Sequence, residues 1–135
     1  MDYGGVPMAE TEKITINMSV VDLGKIDLLV EEGFYSNRTD FIRAAIRQQL
    51  NQHGEAVQQS VTRKSMVLGI LSYDRADLEK LAQRGDRVSI RVLGMLTIAD
   101  DVSPELARQT IESIKVLGTF KVNKAVQQAI ADRVK

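Results

Sequence analysis

Lys13-Ile14-Thr15-Ile16-Asn17-Met18-Ser19 is the stretch from which the rest of the chain can be read. Its apolar residues, Ile14, Ile16 and Met18, alternate with Lys13, Thr15 and Asn17. A period of two built on β-branched side chains predicts a short, half-buried strand. Both segments that follow have helical periodicity, so no second strand lies within hairpin reach. A lone strand leaves two rows of backbone N–H and C=O groups without partners. The simplest partner is the same strand of a second copy, paired across a two-fold axis. The stretch therefore predicts a homodimer.

The two helices after it support that reading. Ser19 with Asp22 three residues on resembles a capping box, and Leu23, Ile26, Leu29 and Val30 form one apolar stripe. Gly33 supplies the left-handed position that commonly closes a helix. Asn37 is the expected N-cap of the second helix, with Asp40 at its third position and an apolar stripe of Phe41, Ile42, Ala45, Ile46 and Leu50. One strand and two helices of this size lie near the lower limit for an independent core, which two copies sharing one core would overcome.

The order of strand, helix, glycine turn, capped helix and Phe41-Ile42-Arg43 resembles the ribbon-helix-helix DNA-binding family, to which the Arc and MetJ repressors belong. The resemblance covers residues 12–52, about a third of the chain. It implies that paired strands enter the major groove of DNA and read base edges with their outward side chains. By position, those readers are Lys13, Thr15 and Asn17. Their chemistry suits such a role. Lys donates to guanine O6 and N7, Asn pairs with adenine N6 and N7, and Thr offers a hydroxyl and a methyl. The resemblance also puts the start of the second helix, Asn37, Arg38 and Thr39, on the phosphate backbone, where free N–H groups and the helix dipole attract anions.

Charge fits this only through its layout. The 135 residues carry 18 basic and 18 acidic side chains, so the formal net charge is zero. The segment 13–50 is balanced as well, with Lys13, Lys25, Arg38, Arg43 and Arg47 against Asp22, Asp27, Glu31, Glu32 and Asp40. DNA binding by such a dimer is expected to be modest and strongly salt-dependent. There is no cysteine, no apolar run of membrane-spanning length and no basic-then-apolar leader at the N-terminus; the expected setting is a reducing cytoplasm. Residues 1–12, with Gly4, Gly5 and Pro7, read as a flexible arm. Residues 53–64 read as a polar linker, with a helical extension as the alternative for its beginning. The single histidine, His53, lies there. Nickel-responsive repressors combine a similar DNA-binding unit with an α/β domain, but they need clustered His and Cys, so no metal site is expected.

Residues 65–135 contain an internal echo. Val67-Leu68-Gly69-Ile70-Leu71-Ser72-Tyr73 returns as Val92-Leu93-Gly94-Met95-Leu96-Thr97-Ile98 and again as Val116-Leu117-Gly118-Thr119-Phe120-Lys121-Val122, at spacings of 25 and then 24 residues. Each copy reads as a strand and precedes a helix signal, with Asp74, Ser103 and Asn123 as caps. The expected fold is α/β overall, a dimeric β-α-α unit followed by about three stacked strand-helix repeats. The alternative for the second part is a ferredoxin-like βαββαβ sandwich, with residues 88–92 and 95–98 as separate strands joined near Gly94. Gly69, Gly94 and Gly118 are expected to mark close backbone packing or bulges between units.

Nothing in this half points to an enzyme. It has no phosphate-binding loop and no cysteine nucleophile, and one histidine makes a catalytic triad implausible. Asp100 and Asp101 read as turn and helix-dipole residues. No cofactor is expected. The reading is a homodimeric, sequence-specific DNA-binding regulator acting as a repressor, whose C-terminal domain oligomerises or senses a small-molecule effector. Two alternatives remain, an antitoxin that also binds its own promoter and holds a toxin partner, and a scaffold protein that binds no DNA.

Overall fold

The computed structural model describes residues 10–135, so most of the predicted arm lies outside the described residues. Two compact units divide the chain, residues 13–60 and residues 61–135, the latter together with the segment that ends at Glu12.

The first unit holds two full helices, α1 (Val20–Glu31) and α2 (Arg38–Gln52), and most of a third, α3 (Gly54–Arg63). Residues 53–64 are therefore mostly helical, so the stretch read as a linker forms α3. Each boundary has a local cause. Ser19 Oγ accepts the Asp22 amide proton at 3.2 Å and starts α1. Gly33, at φ 87°, ends it: its own N–H donates to Val30 O, and the Phe34 N–H reaches back to Leu29 O at 2.9 Å. This crossed pair of bonds needs a left-handed residue, which only glycine adopts without strain. Asn37 Oδ1 then accepts from the Asp40 N–H at 2.8 Å, so α2 starts where the sequence places it. Tyr35 meets Phe41 edge-to-face, with ring centroids 5.0 Å apart, and ties the turn to α2.

The stripes also fall as read, with one difference. Ile26 is buried and Leu23, Leu29, Val30, Phe41, Ile42 and Ala45 are half-buried, but Ile46 and Leu50 are exposed. Residues 13–18 belong to no strand within the single chain. A strand exists through its ladder, and neither α1 nor α2 can supply one.

The second unit is a three-stranded parallel sheet in the order β1 (Val67–Tyr73), β2 (Val88–Ile98), β3 (Ile111–Lys121). Helices α4 (Arg75–Arg84), α5 (Pro104–Thr110) and α6 (Lys124–Ala129) each follow a strand. Strand-helix crossovers of one hand, between strands laid down in sequence order, place every helix on the same face of the sheet. Leu78 of α4, Ala107 of α5 and Val126 of α6 accordingly share one core with Ile90, Val92, Leu96, Ile98, Ile111 and Ile114 of the sheet. Alternation along β2 is strict: Ile90, Val92, Leu96 and Ile98 are buried, while Arg91, Leu93, Met95 and Thr97 point to the other face and stay at least partly accessible.

The echo seen in the sequence is the sheet register. Val67 pairs with Val92 and Val92 with Val116; Gly69 pairs with Gly94 and Gly94 with Gly118. β2 is continuous through Gly94, so the alternative with two strands in residues 88–98 is not the one formed. The glycines are required by that continuity. A Cβ on Gly94 would lie 2.1 Å from Gly69 O, and one on Gly118 would lie 2.0 Å from Gly94 O. All three have φ between 127° and 139°. The helix caps are those expected. Asp74 and Asp77 exchange side chain-to-backbone bonds at 2.9 and 3.0 Å, Ser103 accepts from Leu106 N–H at 3.1 Å, and Asn123 accepts from Val126 N–H at 2.9 Å. Asp101 serves the start of a helix too, but that of α4, accepting the Arg75 N–H at 3.1 Å.

Candidate nucleic-acid interface

The residues nominated as base readers occupy the segment that leads into α1. Lys13, Thr15 and Asn17 are all exposed. Between them Ile14 is 73% and Ile16 64% exposed, a placement that costs hydration free energy for as long as these side chains face water. The segment thus carries a polar row and an apolar row, and exposure along the apolar row falls from Ile14 to Met18, at 37%.

The nominated phosphate contacts cluster at the start of α2. Asn37, Arg38 and Thr39 are exposed, and Asn37 is committed to its capping bond with Asp40. Asp40 in turn accepts from the Ser36 N–H at 2.9 Å. Arg38 is less free than its sequence position suggests. Its Nε and Nη2 donate to the two carboxylate oxygens of Asp27, each at 2.8 Å. The charge-assisted bond from Arg38 holds the Asp27 carboxyl below its ordinary value and raises the guanidinium in return. Nη1 and one proton of Nη2 remain outside the fork and available to an anion. Asp27, which the charge pattern of the sequence would set away from DNA together with Glu31 and Glu32, is instead part of this site: it stands eleven positions before Arg38 on a different helix, and only the packing of α1 on α2 brings the two together.

Among the described residues no group of three His, Cys, Asp or Glu side chains could hold an ion. His53 is exposed just after α2.

A model of the ribbon-helix-helix transcriptional regulator family matches residues 9–127. The chain belongs to that family. The match takes in both the candidate interface and the three-stranded sheet, so this ribbon-helix-helix regulator shares its C-terminal unit with the family. Family membership makes it a transcriptional regulator. Among curated proteins and among solved structures, none matches this regulator. No helix of its described residues is long and apolar enough to cross a membrane.

Proposed function

We propose that this regulator is a sequence-specific DNA-binding repressor. It works as a homodimer in which residues 13–18 of two copies pair into an antiparallel ribbon and enter the major groove. One observation carries the reading: in a segment of strict alternation, Ile14 and Ile16 are left in water by their own unit. Pairing two such segments puts both apolar rows over a shared four-helix core and turns Lys13, Thr15 and Asn17 outward together. Exposed Leu28, Ile46 and Leu50 supply further surface for the same core. A unit in which Ile26 alone is fully buried gains most of its stability from such sharing.

At each end of the ribbon, the start of α2 meets the phosphate backbone. The free amides of Arg38 and Thr39 and the outward donors of Arg38 contribute affinity without reading sequence. Repression follows from occupancy, since a ribbon seated in or beside a promoter excludes polymerase. The antitoxin reading is less well supported, because residues 67–129 already carry a sheet and helices with a core of their own. Antitoxin tails that wrap a toxin commonly fold only on binding.

The test is fluorescence anisotropy on duplex DNA from the regulator's own upstream region against a scrambled duplex, at two salt concentrations. Wild type is compared with a variant carrying Lys13→Ala, Thr15→Ala and Asn17→Ala. Each lost base contact costs about 1–3 kcal/mol, so sequence preference disappears in the variant while weak, salt-sensitive binding persists. Equal preference in the two proteins would reject these residues as readers. Absence of DNA binding alongside intact dimerisation would favour the scaffold reading.

A further inference from the structure

The helices cover one face of the C-terminal sheet. The opposite face bears Leu68, Ile70, Leu93, Met95 and Leu117, with Leu68 61% and Leu117 46% exposed. These side chains flank the row Gly69-Gly94-Gly118 and enclose an open groove of about 420 Å³. A contiguous apolar surface of this kind, on a unit whose other face is fully packed, marks an interaction site.

Charge on this face is segregated. Lys64, Arg91 and Lys115 surround a smaller hollow of about 270 Å³ at the end where the strands begin. Arg91 and Lys115 are register partners, and Arg91 donates to Lys64 O at 3.0 Å. Beyond the glycine row the groove is bordered by Glu10, Glu12 and Lys121, with Thr119 Oγ1 donating to Glu12 Oε2 at 2.9 Å. One end is thus net cationic, three basic side chains against the Glu112 carboxylate that accepts from Ser89 Oγ at 3.1 Å, and the other net acidic.

We infer that this face docks against the same face of a second copy, with the two sheets antiparallel across a two-fold axis that runs over the glycine row. In that orientation the Lys64, Arg91, Lys115 end of each sheet lies over the Glu10, Glu12 end of the other. Rotation about an axis along the strands would instead set cations against cations. The glycine row leaves the centre of the face without side chains, so the leucines and Met95 of the two sheets interleave across it at the usual sheet-to-sheet spacing of about 10 Å. This contact is separate from the ribbon and uses none of its residues.

Absence of cysteine from the chain makes thiol cross-linking a clean test. Leu93→Cys and Leu117→Cys are compared with Gln83→Cys, an exposed position on α4, in the full-length protein treated with a short bismaleimide cross-linker, whose span suits sheets about 10 Å apart. Circular dichroism melts establish that each variant folds. Covalent dimers are expected to form at least tenfold faster from the two sheet-face variants than from the α4 variant, and adding Leu68→Glu should remove that advantage. Equal trapping rates at all three positions would overturn the inference. So would slow trapping at 93 and 117 with thiols shielded from a maleimide, which would assign the groove to a small apolar ligand or to the chain's own N-terminal segment. Because the readout is a covalent bond at the sheet, it stands or falls independently of any result with DNA.

Discussion

Arg38 and Asp27 form a two-pronged ion pair, Nε to Oδ1 and Nη2 to Oδ2, both at 2.8 Å, at the start of α2. The pair ties α1 to α2 and fixes one cationic side chain beside the free amides that are proposed to meet DNA. Its carboxylate is lowered from 3.8 chiefly by the hydrogen bond from Arg38. A group whose folded value is depressed stabilises the fold above its unfolded value and loses that contribution as pH falls through the folded one. The pair therefore acts at full strength at neutral pH and fades only below 3.8. In an NMR titration, Arg38→Ala should return the Asp27 carboxyl toward 3.8. An unchanged Asp27 titration would dissolve the pair. On DNA, the same variant should weaken binding about equally across sequences and reduce the salt slope by about one.

Asn37 has two roles that one substitution separates. Asp caps helices as well as Asn does, so Asn37→Asp should leave the thermal midpoint within a few degrees of wild type. It also places a negative charge where a phosphate is proposed to sit. Binding should fall about tenfold or more at low salt and recover relative to wild type as salt is raised. Anisotropy combined with a thermal melt checks both halves, and undiminished DNA affinity would remove Asn37 from the phosphate contacts.

Ile16, between Thr15 and Asn17, is the position at which the ribbon can be broken without touching a base reader. Ile16→Asp puts a charge into the shared core proposed for the dimer, where an unpaired carboxylate is strongly unfavourable. Sedimentation should show loss of the ribbon contact, and circular dichroism should show melting of helix signal from residues 13–60 while the sheet persists. A variant that stays helical and associated would mean that Ile16 faces solvent in the working protein.

The glycine row offers a graded test of stability. Gly69 shares the positive φ of the other two, but a Cβ there meets nothing within 4 Å. Gly69→Ala should therefore carry only the backbone strain, about 1–3 kcal/mol. Gly94→Ala and Gly118→Ala add a collision with a backbone carbonyl and should destabilise further, up to loss of the folded C-terminal unit. Urea unfolding ranks the three, and equal costs would show that the strands separate without penalty.

Much of this protein was legible in its residues because the signals are local. The caps Ser19, Asn37, Asp74, Ser103 and Asn123, and the stop at Gly33, depend on side chains and backbone a few positions apart. The threefold echo even contained the sheet register, because identical units stacked in parallel bring like residues side by side. In residues 53–64 the polar composition pointed at most to a helical beginning, whereas α3 runs on to Arg63 without a single buried residue.

What the tertiary structure alone decided is non-local. The sequence by itself determined the strand or helix character of most segments of the chain. It could not pair Asp27 with Arg38, because that bond joins two helices at a distance set by their packing. Nor could it show that α4, α5 and α6 all lie on one side of the sheet and leave Leu68, Leu93 and Leu117 on the other. Apolar residues on both faces of a strand read alike in sequence; only the placement of the helices decides which face is core and which is left to meet something else.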